Sequence, residues 1–153
     1  SICAWGPTAM LPIFQLLGTR YCRKDIITRF INKEKMYDGF TKISFIYPHA
    51  VASMKVGQGA KSEGEMIVSG TKGYIYVPAP WWKTDYFEVR YENQQNNKRY
   101  FYQLDGEGLR YELLSFLKAI RTGKEFSYVA NDISKAITST IADFYAHQDM
   151  TVI

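Results

Sequence analysis

The chain reads G-T-K-G-Y-I-Y-V-P-A-P-W-W over residues 70–82, and this stretch decides the fold. Its tetrapeptide 70–73 separates two short runs, 66–69 and 74–77, that are rich in apolar and aromatic residues. Two such runs joined by a glycine-containing turn are typical of a β-hairpin. The stretch therefore predicts two antiparallel strands, followed by a loop that carries two adjacent tryptophans.

Further strands are predicted on both sides of this hairpin. They cover residues 25–32, 40–47, 51–56, 86–91 and 99–104. Because most of these strands follow one another across short polar turns, neighbours along the chain should pair antiparallel.

Three predicted helices frame the strands. The first, residues 8–17, is apolar on nearly every side and must be buried. The second, residues 108–122, has one apolar stripe, and the third follows an N-cap at Asn131. The order predicts an α+β domain: an open, mainly antiparallel mixed sheet with helices packed on one face. The many aromatic residues predict that the other face of the sheet meets another body.

Composition excludes several classes of protein. The net charge is +4, and the densest basic cluster, residues 20–24, is followed by Asp25, so a nucleic-acid partner is not expected. No apolar run approaches the roughly 20 residues of a membrane span, so no membrane partner is expected. The two cysteines, Cys3 and Cys22, form no motif. They are expected to be free, partly buried thiols in a reducing cytoplasm.

The chain offers no complete catalytic constellation of its own. Residues 57–62, G-Q-G-A-K-S, lack the third glycine of a dinucleotide loop and the Gly-Lys pair of a P-loop. His49 and His147 each stand alone, which favours structural or solvated roles over a metal site. Glu63 and Glu65 are expected to be solvated.

Two features stand out from this background. Two large rings and a lysine, Trp81 to Lys83, follow a strand directly; the rings either pack beneath a neighbouring element or stack on the C–H face of a sugar. The segment from Trp5 to Thr8 precedes the apolar helix. It either serves only to start the helix, or offers free N–H groups to a hydroxyl or an anion.

Two motifs, in this order, resemble a known family. The first is the hairpin and tryptophan stretch, and the second reads G-E-G-L-R-Y-E-L-L-S-F-L-K-A-I-R over residues 106–121. Together they resemble the C-terminal domain of the Gfo/Idh/MocA oxidoreductases, the relatives of glucose–fructose oxidoreductase, inositol dehydrogenase and trans-dihydrodiol dehydrogenase. The resemblance extends from Gly6 to the last helix.

The resemblance implies a division of labour between two domains. Family members bind NAD or NADP in an N-terminal Rossmann domain that also holds a catalytic lysine, and their C-terminal domain shapes the substrate site and forms dimers through its sheet. Residues 1–153 are therefore expected to be a single substrate-binding and oligomerisation domain, without the Rossmann domain. This chain alone is expected to bind no cofactor and to be inactive, while its parent uses NAD or NADP.

The resemblance also locates a substrate site. Many members carry an acidic residue and, four positions later, His or Tyr; these positions read Ala4 and Thr8 here. Ala4 cannot relay a proton, whereas Thr8 can hydrogen-bond a substrate hydroxyl. The predicted substrate-binding residues lie at the start of the first helix, in the tryptophan loop or at the start of the second helix: Thr8, Trp81, Trp82, Trp5, Lys83 and Tyr111.

The function that follows is the substrate side of an NAD(P)-dependent oxidoreductase acting on a sugar, polyol or related cyclic alcohol. Its expected partners are its own Rossmann domain, the small-molecule substrate and a second copy in a homodimer through the sheet face. The alternatives are a non-catalytic dimerisation domain and a domain that binds sugar without oxidising it.

Overall fold

The computed structural model describes residues 1–106, 108–124 and 127–153. Glu107 of the second motif lies outside the described residues. The elements, in chain order, are α1 (Ile2–Leu17), β1 (Arg23–Asn32), β2 (Tyr37–Ile46), β3 (Val51–Gly57), β4 (Met66–Gly70), β5 (Gly73–Val77), β6 (Tyr86–Tyr91), β7 (Lys98–Phe101), α2 (Leu109–Thr122), α3 (Asn131–Tyr145) and β8 (Met150–Val152).

The chain forms two compact units. The first contains residues 1–62 and 128–153, and the second contains residues 63–127. Whether residues 1–153 act as one folding domain stays a prediction, because compactness alone does not establish independent folding. The predicted α+β class, with a mainly antiparallel mixed sheet and helices, is confirmed.

The strands are hydrogen-bonded as two four-stranded sheets, where the sequence predicted one. Sheet A, in the first unit, has the order β3-β2-β1-β8, and sheet B, in the second unit, has the order β4-β5-β6-β7. No ladder joins β3 to β4, and residues 58–65 between them form neither helix nor strand. Strand β8, which the sequence analysis missed, pairs in parallel with β1 and makes sheet A mixed.

The core of the first unit lies between sheet A and the two helices α1 and α3. Alternate residues of β1 and β2 face this core, as in any half-buried sheet. Phe45 packs edge-on against Phe14 of α1, with ring centroids 5.0 Å apart, and Phe30 meets Phe144 of α3 at 5.8 Å. The helices therefore bury one face of sheet A, as predicted.

Helix α1 begins at Ile2, six residues before the predicted start. Its buried residues follow a four-residue spacing: Ile2, Gly6, Met10 and Phe14. This spacing places them on one stripe of a helix. Burial of that stripe extends the helix through Pro7, which the sequence pattern placed near its first turn.

Both cysteines are exposed, which corrects the prediction that their thiols are partly buried. Cys3 lies on α1 next to the buried stripe and not on it, and Cys22 lies in the short turn before β1. Residue spacing alone did not reveal which side of the helix would be covered.

The hairpin predicted for residues 66–77 is confirmed in sheet B. Strands β4 and β5 pair from Met66 opposite Val77 to Gly70 opposite Gly73. A Cβ atom at Gly73 would lie 2.3 Å from the carbonyl oxygen of Arg90 on β6. Only glycine therefore allows the turn to approach the neighbouring strand this closely.

Helix α2 has the predicted apolar stripe, but the structure leaves it in solvent. None of its described residues is buried, and the stripe residues are 47–64% exposed: Leu109, Leu113, Phe116, Leu117 and Ile120. Amphipathic spacing predicted the helix and not what covers it.

A buried lysine joins sheet A to the end of the chain. The Nζ atom of Lys24 on β1 lies 2.7 Å from a carboxylate oxygen of Asp143 and 3.1 Å from one of Asp149. The Lys24 side chain is 7% exposed, Asp143 22% and Asp149 54%. Burial alone would lower the pKa of Lys24, but the hydrogen bonds to the two carboxylates outweigh it and raise the pKa above the usual 10.5.

We expect Lys24→Met to lower the free energy of unfolding at pH 7 by about 2–3 kcal/mol, because it leaves Asp143 without its partner. Asp149→Ala should cost less than about 1 kcal/mol, since Asp149 is half exposed. A pKa raised in the folded state adds stability that is complete below pH 10.5 and is lost as the pH rises through the folded value.

Urea unfolding between pH 7 and 11.5, followed by circular dichroism, measures both effects. The difference between the native chain and Lys24→Met should shrink at the alkaline end. A difference that stays constant with pH would show that the lysine acts through packing alone.

Candidate functional site

The helical part of the predicted site lies in the first unit. Trp5 and Thr8 are three residues apart on α1 and so lie on neighbouring positions of one helix face. The Trp5 ring is 47% exposed, and Thr8 is half-buried. Ala4 lies one turn before Thr8, so the two positions that match the family's acidic and His or Tyr residues are also neighbours here. The hydroxyl of Thr8 is the polar group that this pair offers.

Neither reading of residues Trp5 to Thr8, as the start of the helix or as a source of free N–H groups, agrees with the structure. Because α1 begins at Ile2, this segment lies inside the helix, and the Trp5 N–H donates to the Ser1 carbonyl at 3.0 Å. At the true helix start, the Ile2 N–H donates to the carboxylate of Asp38 at 3.0 Å and the Ala4 N–H to the Ser1 carbonyl at 3.2 Å. Only side chains of this segment can meet a ligand.

Asp38 was missed by the sequence analysis, although it holds this part of the site. Its side chain is buried on β2. It accepts hydrogen bonds from the Ser1 and Ile2 nitrogens at 2.6 and 3.0 Å, and from Thr41 Oγ1 at 2.7 Å. Thr41 in turn lies 2.9 Å from Thr28 Oγ1 on β1. Asp38 thereby ties the start of α1 to sheet A and sets where Trp5 and Thr8 lie.

A second polar pair near the start of α1 was also missed. Cys3 Sγ lies 3.2 Å from the hydroxyl of Tyr145, at the end of α3. This contact, with burial, raises the pKa of Tyr145 to about 12. The raised pKa reflects stabilisation of the protonated phenol, which is the hydrogen-bond partner of Cys3. No spacing in the sequence connects residues so far apart.

The tryptophan part of the predicted site lies in the second unit. Trp81 to Lys83 form a single 3₁₀ turn after β5. The Trp81 N–H donates to the Gly64 carbonyl at 2.9 Å, which fixes the turn, and the two indoles meet edge-to-face at 5.9 Å. Trp82 is 46% exposed, whereas Trp81 is half-buried. Trp81 therefore braces the ring of Trp82, which keeps surface open to a ligand.

The other two predicted residues of this unit differ in their surroundings. Lys83 is exposed at the end of the 3₁₀ turn. Tyr111, in the first turn of α2, accepts a hydrogen bond at its hydroxyl from the Asp105 N–H at 3.1 Å. Its hydroxyl thus supports the loop before α2. Whether any predicted residue contacts substrate stays a prediction.

Sheet B carries a charged and aromatic network that the sequence analysis did not single out. Glu88 lies between Arg90, at 2.6 Å, and Arg99, whose Nε donates to it at 2.9 Å. Hydrogen bonds from these two arginines hold the pKa of Glu88 below its usual range, and Arg90 makes the larger contribution. Arg90 lies over the ring of Tyr76 at 4.4 Å, and Arg99 over that of Tyr86 at 4.8 Å. Glu88, Arg90 and Arg99 of this network line a concave surface, and none of the predicted substrate residues does.

Within residues 1–106, 108–124 and 127–153, no group of three or more His, Cys, Asp or Glu side chains is placed to hold a metal ion. In the same ranges, no helix combines the length and apolar character needed to cross a bilayer.

Several solved structures share this architecture. No family model matches the chain, and no curated protein matches it either. The 3-ketoreductase KijD10 from Actinomadura kijaniata, crystallised with NADP and TDP-benzene, superposes with a TM-score of 0.76 at 8% identity, over 99% of this chain and 47% of its own. Biliverdin reductase from Synechocystis sp. PCC 6803, with biliverdin and NADP+, gives 0.70 at 16% identity, over 93% and 44%.

The chain has the fold of the C-terminal part of the Gfo/Idh/MocA-type oxidoreductases. An aldose–aldose oxidoreductase from Caulobacter crescentus, complexed with glycerol, matches in the same way, with a TM-score of 0.70 at 14% identity over 92% of this chain and 43% of its own. The chain thus spans about half the length of these oxidoreductases. At such identities the comparison shows a shared fold only. The substrate and reaction of each neighbour apply to that neighbour.

Proposed function

We propose that this chain is the substrate-side domain of an NAD(P)-dependent oxidoreductase that acts on a sugar, polyol or related cyclic alcohol. The observation that carries the proposal is the match of nearly the whole chain to half of each neighbour. KijD10 and biliverdin reductase were crystallised with NADP. In this proposal, a Rossmann domain of the parent protein binds NAD or NADP and supplies the hydride chemistry.

The glycine-containing residues 57–62 do not fit a dinucleotide-binding loop. Residues 57–62, its glycine-containing segment, lie at the end of β3 and are followed by β4. A dinucleotide loop instead joins a strand to a helix whose N-terminus meets the pyrophosphate. We therefore assign no step of the cofactor chemistry to these residues.

The role of this chain is to bind and orient the substrate. Thr8 offers a hydroxyl that can donate to or accept from a substrate hydroxyl. Trp82, braced by Trp81, offers an exposed indole face for the C–H side of a ring, and Lys83 and Trp5 add a cation and a second exposed ring. Within each unit, such groups can orient a substrate without taking part in bond changes.

The cellular setting is part of the same proposal. Two exposed free thiols, Cys3 and Cys22, fit a reducing cytoplasm. We also propose a homodimer through a sheet face, for which the tyrosine and arginine side chains of sheet B are suited, because Tyr and Arg are enriched in protein interfaces.

The proposal is tested with the full-length parent protein. Reduction of NAD and NADP, followed at 340 nm, is measured against a panel of aldoses, polyols and cyclic alcohols, with the 153-residue chain alone as a comparison. We expect turnover with the parent and none with the chain. Sugar binding that is independent of nicotinamide would favour the sugar-binding alternative, and a stable dimer with neither activity nor binding would favour the interaction domain.

We expect Trp82→Ala in the parent protein to raise KM roughly tenfold while kcat changes less than about twofold, because ring stacking contributes to binding equally in the ground and transition states. Tyr37→Ala is the matched control, since Tyr37 is also 46% exposed but lies on β2, outside the predicted site. An equal change in both variants would refute a substrate contact at Trp82.

A further inference from the structure

We propose that β7 pairs edge to edge with β7 of a second copy of this chain, in antiparallel register centred on Tyr100. This contact uses a different surface from the sheet-face dimer proposed above. It also does not depend on oxidoreductase activity, so the two proposals can fail separately.

Strand β7 is the free edge of sheet B. It pairs with β6 on one side, and among the described residues no strand pairs with its other side. The Tyr102 N–H donates to the Asp85 carbonyl at 2.7 Å, so Tyr102 and Tyr100 point their peptide groups toward β6. Peptide groups alternate in antiparallel strands. Those of Arg99 and Phe101 therefore point outward, and each offers one N–H and one C=O.

This edge lacks most of the features by which sheet edges avoid pairing. Free edges are usually protected by lysines, prolines, bulges or a covering element. Here Lys98 and Arg99 are followed by three consecutive aromatic residues, Tyr100 to Tyr102, which are 45%, 73% and 63% exposed. An exposed edge of this composition is a template for another strand.

The register argues for a second copy. In an antiparallel pair of β7 strands with Tyr100 of one copy opposite Tyr100 of the other, Arg99 of each copy lies opposite Phe101 of the other. The outward peptide groups then form two hydrogen-bonded pairs, with four N–H···O bonds in all. Each Arg99 also meets a phenylalanine ring, a favourable cation–π partner.

Other two-fold registers would give a less stable strand pair. Centring on Arg99 sets two like charges opposite each other, which destabilises a strand pair. Centring on Phe101 pairs Arg99 with Gln103, which lies beyond the end of β7. The Tyr100 register is thus the one that uses both outward residues of β7 and keeps the arginines apart.

The side chains of β7 are already held for this contact. Arg99 is fixed by Glu88 and by the ring of Tyr86, so little rotamer entropy remains to be lost. On the opposite face, Tyr100 stacks on Phe87 at 5.0 Å, with ring planes 15° apart. Aromatic rings would therefore flank the seam between the copies on both faces.

Disulfide trapping tests the register directly. In a Cys3→Ser, Cys22→Ser background, Tyr100→Cys would place the two new cysteines in a non-hydrogen-bonded pair with Cα atoms about 4.5 Å apart, within the range of a disulfide. Lys98→Cys, on the same face of the strand, is the matched control: its symmetry mates would be four residues out of line, roughly 13 Å along the strand.

We expect mild oxidation to give a covalent dimer with Tyr100→Cys and little or none with Lys98→Cys. Cross-linking of both variants would indicate random collision, and cross-linking of neither would exclude this register. Either result would overturn the proposal.

Sedimentation equilibrium of the full chain distinguishes dimerisation through the β7 edge from dimerisation through the sheet face. Phe101→Pro removes an outward N–H without touching the bonds to β6, and in a Tyr74→Asp background, which removes the sheet-face contact, it should weaken the remaining dimerisation at least tenfold. Phe101→Ala keeps the N–H and should weaken dimerisation less, while Tyr74→Asp on the sheet face should leave the edge contact in place. A native chain that stays monomeric, or a dimer lost in Tyr74→Asp but kept in Phe101→Pro, would contradict edge pairing.

Discussion

Replacing Phe45 with Ala is expected to lower the free energy of unfolding by about 3–5 kcal/mol. Phe45 lies on β2 with no exposed surface, and its ring meets Phe14 at 5.0 Å and Tyr21 at 5.1 Å. Phe45 belongs to sheet A, Tyr21 to the turn before β1 and Phe14 to α1. Removing the central ring leaves a cavity that the flanking helix and strand cannot both close.

Phe116→Ala is the comparison for this change. The sequence placed Phe116 on the apolar face of α2, but it is 61% exposed. Its removal should change the free energy of unfolding by less than about 0.5 kcal/mol. Urea unfolding followed by circular dichroism measures both variants, and a loss at Phe116 equal to that at Phe45 would show that α2 is covered in solution.

Replacing Asp38 with Ala is expected to cost about 2–4 kcal/mol. The buried carboxylate accepts hydrogen bonds from the Ile2 N–H and the Thr41 hydroxyl, and the change leaves these donors unsatisfied away from water. It also removes a negative charge from the N-terminus of α1, which stabilises the helix dipole there. Because α1 carries Trp5 and Thr8, the substrate side of the parent protein should weaken as well.

Asp25→Ala is the matched control for Asp38. Asp25 pairs with Arg23 at 3.1 Å, but both side chains are about half exposed or more. An exposed pair contributes about 0–1 kcal/mol. Asp38→Asn, which keeps an oxygen acceptor, should fall between the two. Equal stability of Asp38→Ala and Asp25→Ala would mean that the start of α1 is not held by the carboxylate.

The candidate site was only partly predictable from the sequence. Trp81 and Trp82 stood out because two large rings in a loop need a physical reason, and the structure shows that one braces the other. Asp38 and Tyr145 gave no local signal. Their partners, Ile2 and Cys3, are 36 and 142 residues away along the chain. Only folding brings such pairs within hydrogen-bond distance.

By itself, the sequence determined which segments become strands and helices, apart from β8, and that most strands pair with their neighbours. Those properties depend on short-range patterns: alternation along a strand, spacing along a helix, and glycine at the turn near Arg90. The tertiary structure alone decided that α1 starts at Ile2, that β8 joins β1, that the strands divide into two sheets, and that Phe45 is buried while Phe116 is not. Each of these depends on which distant surface covers a residue, and burial, unlike local spacing, is a property of the whole fold.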